Sequence, residues 1–212
     1  MLKPSPKPSP RRSPKPEKTS VESGRVRIIG GAWRSRVLRF PAVTGLRPTP
    51  DRVRETVFNW LAPYIEGASC LDLFAGSGAF GFEAASRAAA QVTMVERDPD
   101  ALRALHTNAR LLDASTVQVT QADVLDYLSA APTPAAADIV FLDPPYASGL
   151  LESALARLVK RGWVRADGFI YLEAPARADP ALPAGWALYR SKRAGKVGYH
   201  LARQIVKTET AT

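Results

Sequence analysis

Asp143-Pro144-Pro145-Tyr146 places a carboxylate, two prolines and an aromatic ring directly after Ile139-Val140-Phe141-Leu142, an apolar run that reads as a buried strand. In open α/β sheets, ligands bind at the ends of such strands. Proline fixes φ and has no N–H to donate, yet its carbonyl remains a strong acceptor. Asp143 adds a second acceptor and Tyr146 a flat π-face. Two acceptors converging beside an aromatic platform suit a planar base that carries an amino group. Pro-Pro also ends strands for purely structural reasons, so the chemical reading needs support from elsewhere in the chain.

That support lies upstream. Cys70-Leu71-Asp72-Leu73-Phe74 is a second apolar run, followed by Ala75-Gly76-Ser77-Gly78-Ala79-Phe80-Gly81 and then helical periodicity. A strand, a glycine-rich turn and a helix start form the first unit of a nucleotide-binding α/β fold. Asp72 lies inside the strand, where its carboxylate would face the crevice and take an amino group of a small ligand. Phe74, at the strand's end, joins it as a candidate contact. Glu96 closes the next strand, about 20 residues beyond Gly76, the spacing of an acid that accepts from ribose hydroxyls. Asp123 follows a third strand and could accept from an adenine amine. Either acid alone could instead cap a helix. A ribose, an adenine and an aminoacyl group together describe S-adenosylmethionine (SAM), with Asp72, Phe74, Gly76, Gly78, Glu96 and Asp123 as its candidate contacts.

The elements that would position these groups alternate from Ser69 onward. Helices are predicted at 80–89, 99–111, 124–130 and 150–160, and a further strand at 169–173. The chain then changes character: 186–192 and 197–206 read as two strands joined through Arg193-Ala194-Gly195-Lys196, a hairpin whose strands pair antiparallel. The predicted fold is therefore α/β and Rossmann-like: a seven-stranded, mainly parallel sheet with a C-terminal antiparallel hairpin. Residues 25–66 form a small appendage, with two short strands around Gly30-Gly31 and a helix opened by Thr49 as N-cap and Pro50 at its first position. Val53, Val57, Trp60 and Leu61 give that helix an apolar face. Residues 1–24 alternate Pro with Ser, Lys and Arg and predict a disordered basic tail. The catalytic domain is expected over 67–207.

The 212 residues carry a formal net charge of +9, which favours anionic partners such as nucleic acid. Arg47, Arg52 and Arg54, near the start of the appendage helix, and Lys196 in the hairpin turn are candidate RNA contacts, with Pro145 beside the target base. One cysteine excludes an internal disulfide, and two histidines far apart make a zinc site improbable, so no metal is expected. No apolar run approaches the roughly 20 residues that span a membrane, and no secretory h-region is present. The expected location is the cytoplasm.

Leu71-Asp72-Leu73-Phe74-Ala75-Gly76-Ser77-Gly78 followed by Asp143-Pro144-Pro145-Tyr146 resembles class I SAM-dependent amino-methyltransferases. Arg27-Ile28-Ile29-Gly30-Gly31-Ala32-Trp33-Arg34 and the segment from Leu46 to Leu61 are similar to the RsmD family. The resemblance covers 25–206. It implies methyl transfer to the N2 amine of a guanine in 16S ribosomal RNA, with Asp143, Pro144 and Tyr146 as the catalytic motif. The small appendage offers little surface for a long RNA. The expected substrate is thus RNA within the small ribosomal subunit or a late assembly intermediate, and the expected state a monomer. Three alternatives compete. An adenine-N6 DNA methyltransferase shares the motif but usually carries a sizeable target-recognition region. An NAD-dependent oxidoreductase shares the glycine loop but has no use for Asp143-Pro144-Pro145-Tyr146. A non-catalytic RNA-binding assembly factor would not need the acidic set intact.

Overall fold

The computed structural model describes residues 23–41, 49–130, 136–145 and 149–205. Nearly all of the basic tail, Arg47 and Tyr146 lie outside the described residues. Seven strands form one sheet: β3 (Ser69–Asp72), β4 (Gln91–Glu96), β5 (Val117–Gln121), β6 (Ala137–Leu142), β7 (Val164–Pro175), β8 (Trp186–Ala194) and β9 (Val197–Gln204). Their spatial order is β5-β4-β3-β6-β7-β9-β8. The first five are mutually parallel, and the β8–β9 hairpin closes the sheet antiparallel to β7. This is the expected α/β class with its terminal hairpin. The chain leaves β3 toward β4 and β5, then returns to β6 on the other side of β3. That reversal opens a crevice at the carboxyl ends of β3 and β6.

Among the described residues five helices cover the sheet: α1 (Asp51–Leu61), α2 (Ala79–Ser86), α3 (Pro99–Leu112), α4 (Val124–Ser129) and α5 (Leu150–Lys160). Residues of α1, α2 and α3 pack with one face of the sheet around Phe58, Phe82, Met94 and Phe141. Residues of α4 and α5 pack with the other around Leu128, Leu158, Val140 and Leu172. Inner strands flanked on both faces are near-continuous in apolar residues, which is why 139–142 and 70–74 were legible as strands. β7 runs longer than the predicted 169–173. Its first half, Val164-Arg165-Ala166-Asp167, is largely exposed and polar, and its register against β6 shifts at Ala137/Ile139.

β1 (Ser23–Arg27) and β2 (Val37–Pro41) form a separate antiparallel pair. Val26, Ile28, Leu38 and Phe40 bury their side chains in the same core as α1–α3. The segment after β1 is docked on α2 by polar contacts. Glu83 accepts the backbone N–H groups of Ile29 (2.7 Å) and Gly30 (2.9 Å), and Ser86 Oγ donates to the Gly30 carbonyl at 2.5 Å. At Gly31, where φ is +75°, a Cβ would lie 1.8 Å from the Ser86 carbonyl oxygen. Gly30-Gly31 therefore serves close backbone approach as much as turning.

Two expectations in α1 change. Thr49 is not the helix cap: Pro50 holds that position without a side-chain cap bond, and Thr49 Oγ1 points to carboxylates of the sheet. Arg54 is not an RNA contact. Its side chain is wholly buried, with Nη2 donating to Asp51 Oδ1 (2.6 Å) and the Arg27 carbonyl (2.8 Å) and Nη1 3.6 Å from Glu83. Position 54 shares the inward side of α1 with Val57, Phe58 and Leu61, so its guanidinium is drawn under the appendage.

Glu83 thus holds two backbone donors, Arg87 and the buried Arg54 at once. Truncating one partner of a buried ion pair strands the other charge, at about 3–5 kcal/mol. Glu83→Ala is expected to lower unfolding free energy by about that amount in urea titrations. A loss comparable to a surface substitution would show that the cluster does not hold the appendage.

Candidate active site

The crevice is built from the last residue of each strand and the loop after it. Asp72 ends β3 and is 3% exposed. It pairs in register with Phe141, so Asp143 lies at the same sheet edge two residues further on. Asp72 Oδ2 accepts the Gly81 N–H of α2 at 3.0 Å. Between them runs the glycine loop, with Gly76 at φ +49° and Gly78 at φ +77°, conformations an L side chain adopts only at a cost. A Cβ on Gly78 would also stand 2.5 Å from the Phe82 ring. Phe74, partly buried, packs at the strand's end against the α4–α5 side of the core.

Glu96 ends β4 and is wired to the loop. Its Oε2 accepts the Gly76 N–H (2.8 Å), and its Oε1 accepts those of Arg97 and Asp98 (2.8 Å each). Asp123 caps α4, accepting the Leu125 N–H at 2.8 Å, with Arg97 3.9 Å from its other oxygen. The capping reading of Asp123 is therefore realised, with its Oδ2 facing Arg97. Asp72, Gly76, Gly78, Glu96 and Asp123 all line the carboxyl edge of β3, β4 and β5.

Asp143 lies at the centre of a second group. Thr49 Oγ1 is 3.1 Å from Asp143 Oδ2 and 2.9 Å from Glu173 Oε1, and the Tyr171 hydroxyl donates to the same Glu173 oxygen at 2.6 Å. Thr49 has one proton to donate and two carboxyls to serve. Both contacts become hydrogen bonds only when one carboxyl carries a proton and gives it to Thr49. Dense surroundings desolvate the Asp143 carboxyl although part of its surface stays open. That burial, first, and the nearby Glu173 carboxylate push it well above the usual carboxylate range; the Thr49 bond opposes this and Asp72 adds to it. Burial likewise pushes Asp72 up to about 7, against the Gly81 N–H and with help from Glu96. Among the described residues no cationic side chain pairs with Asp72. A ligand's ammonium group is the partner that would hold it ionised.

Pro144 is buried beside Asp143, while Pro145 is exposed. Both line a cavity of about 220 Å³ between the loop after β6, the start of α5 and the end of β7. Arg52 and Lys196 are exposed, the latter in the β8–β9 turn, which the Pro175–Val197 pairing puts at the same edge of the sheet. Thr49, Tyr171 and Glu173 were not singled out from sequence. Glu173 carried the signal, being a buried carboxylate in the apolar half of β7, two residues before its end, much as Asp72 ends β3 and Asp143 follows β6. Among the described residues no three His, Cys, Asp or Glu side chains converge as a metal site, and no helix is long and apolar enough to cross a membrane.

The family described as "Conserved hypothetical protein 95" matches residues 26–203. The chain is 46% identical over 189 residues to ribosomal RNA small subunit methyltransferase D of Escherichia coli K12, covering 89% of this chain and 94% of that protein. It is 43% identical to the protein of the same name from Haemophilus influenzae, covering 86% and 96%. The solved structure of the Escherichia coli protein yhhF, described as a methyltransferase, superposes with a TM-score of 0.77 at 46% identity, covering 87% of this chain and all of that one.

The raised Asp72 carboxyl makes a stability prediction. Its folded value of about 7 exceeds the ordinary 3.8. The neutral form's contribution is thus fully present below pH 3.8 and is lost as pH rises through about 7. Asp72→Asn keeps an acceptor for the Gly81 N–H and never ionises. In ligand-free urea unfolding, the variant should gain on the wild type progressively between those two values and level off above. A difference independent of pH would contradict a buried, ionisable Asp72.

Proposed function

This chain belongs to the RsmD family, and from that premise we propose that it transfers a methyl group from SAM to the N2 amine of a guanine in 16S ribosomal RNA. The observation that carries the proposal is the juxtaposition at one sheet edge of a glycine cradle ringed by acids and Asp143 followed by Pro144. Asp72 would hold the ammonium group of SAM, Glu96 its ribose hydroxyls, and Asp123 the adenine amine, with Phe74 beside them. Gly76 and Gly78 let the ligand approach the backbone. When bound, SAM supplies an electrophilic methyl carbon on a sulfonium.

The rest of the task falls to the chain. An exocyclic guanine amine is a weak nucleophile because its lone pair is delocalised into the ring. Asp143 accepts one amine hydrogen and the Pro144 carbonyl the other, which fixes the nitrogen in line with the methyl carbon. Alignment of this kind contributes several kcal/mol of barrier reduction. Both bonds strengthen as positive charge develops on nitrogen, so they favour the transition state over the ground state. The alkylated amine is acidic enough to shed its proton without a strong base. Tyr146 stacks on the target base, which must be unpaired or extruded to reach the crevice.

Arg47, Arg52 and Lys196 contact RNA phosphates in this reading, Pro145 borders the base, and the net charge of +9 favours encounter. The division at residue 66 separates an RNA-contacting appendage from the methyltransferase domain. The substrate is the small subunit or a late assembly intermediate, met in the cytoplasm by a monomer.

Labelled SAM offered in parallel with unmodified small subunits, naked 16S RNA and double-stranded DNA tests this. N2-methylguanosine is expected from RNA, with the particle preferred; N6-methyladenine in DNA would replace the proposal. Asp143→Ala should leave SAM affinity within a few-fold while turnover falls at least about a hundredfold. Equal loss of both would make Asp143 structural.

A further inference from the structure

The β8–β9 hairpin carries an arrangement of side chains that the methyl-transfer step does not use. Its pairing shifts register between Leu188 and Arg190. Leu188 pairs with Ala202, which belongs to the core on the α4–α5 side, whereas Arg190 pairs with Leu201, which belongs to the core on the α1–α3 side. Tyr189, the extra residue, packs against the α1–α3 side as well. The bulge thus re-aims the strand so that Tyr189 and Arg190 share one face. Arg203, two residues beyond Leu201 on β9, lies on that face too. Both guanidinium groups stand over the Tyr189 ring, Arg190 at 4.4 Å from its centroid and Arg203 at 5.1 Å. The buried Phe169 braces the ring from a centroid distance of 5.7 Å.

Arg190 and Arg203 are exposed, and no carboxylate among the described residues pairs with either. Two acids of the groove beside Phe169, Asp138 and Asp167, are both engaged by Arg165, at 3.1 and 3.4 Å. The ring attracts each cation, but the two cations repel each other. An anion touching both is the partner they lack. A phosphodiester fits, because the guanidinium fork matches phosphate oxygens bidentately. Two forks already held on one ring also lose less freedom on binding than two loose side chains. In-register pairings line Arg203, Arg190 and Lys192 up with Phe169, Tyr171 and Glu173 of β7 in turn, so the row climbs toward the carboxyl edge of the sheet. Lys192, at the top of that row, is two strand spacings, about 10 Å, from Glu173.

We propose that Arg190 and Arg203, held on Tyr189, form a phosphate clamp that grips the RNA backbone beside the target nucleotide, with Lys192 leading the strand on toward the crevice. The assignment rests on the RNA-methyltransferase reading above. A clamp of this kind fixes where the RNA lies without reading its sequence, which leaves the choice of base to the crevice.

Binding of unmodified small ribosomal subunits, titrated over a range of salt, tests the clamp. Arg190→Ala/Arg203→Ala removes both forks from exposed positions. Lys160→Ala/Arg161→Ala removes the same charge from the exposed end of α5, on the other face of the sheet. The clamp variant should raise Kd at least about fivefold, and the slope of log Kd against log salt should fall by about one to two. Its affinity for SAM without RNA should stay that of the wild type. The Lys160/Arg161 variant should change neither Kd nor slope. Each single arginine variant should show more than about half of the double variant's loss on a logarithmic scale, because one phosphate is gripped by both forks. Equal losses in the two double variants would reduce the effect to net charge and overturn the clamp, as would strictly additive single losses. Wild-type binding to anionic lipid vesicles that the clamp variant loses, while its RNA affinity holds, would assign the pair to a membrane surface instead. If the wild type neither binds nor methylates RNA, the RNA reading itself fails and takes this assignment with it. Wild-type methylation of RNA with an indistinguishable clamp variant sinks the clamp alone.

Discussion

Among the described residues, Asp72 and Asp143 are carboxyl groups withdrawn from water with no cationic side chain paired to them, and they set the terms for the rest of this molecule. Asp72 is almost wholly buried, and Asp143 is desolvated at the same sheet edge. Burial of an unpaired carboxylate is unfavourable enough that the group tends to take up a proton instead. Asp72 and Asp143 both move in that direction. The fold tolerates them because each stands at the end of a strand, where one or two backbone or hydroxyl donors can reach it. Those donors are too few to satisfy a carboxylate fully. The shortfall matches what a ligand edge rich in N–H groups provides, so the cost of folding such a site is offset when it binds.

This constraint also explains why the N-terminal appendage belongs to the catalytic unit rather than decorating it. Thr49 enters from the segment before α1 and is the hydroxyl between Asp143 and Glu173. Its position depends on α1, which is held by Arg54 under the appendage and through Glu83 to the turn after β1. A displacement of the appendage would remove the hydroxyl that reaches both acids. The chain thus links a surface-facing module to the pKa of a buried acid through a short series of named contacts.

What the sequence disclosed follows from how local each signal is. Asp72 and Asp143 were legible because each interrupts or ends an apolar strand and is followed by glycines or prolines, residues with their own conformational meaning. Glu173 lies two residues before the end of its strand and is followed by Ala174-Pro175, and the strand's polar first half obscured where it began. Thr49 was invisible as a site residue. Thr-Pro ahead of a helix is a capping signal, whereas its partners lie 94 and 124 residues away. Arg54 was misread because its neighbours Arg47 and Arg52 suggested a basic cluster. Helical spacing puts position 54 with Val57, Phe58 and Leu61, and that periodicity was the better guide.

The opposite signs of surface and site then fit together. Exposed cations at the same sheet edge, among them Lys192, Arg193 and Lys196 in the hairpin, favour phosphates by a long-range, sequence-independent attraction. The acids at the floor of the crevice act only at contact and only on donors. A phosphodiester drawn to the rim is repelled from the floor, so a backbone cannot settle where the base must go. In the proposed reaction, attraction at the rim sets how often RNA arrives, and the acids at the floor act only at contact, on the amino group of the base that enters.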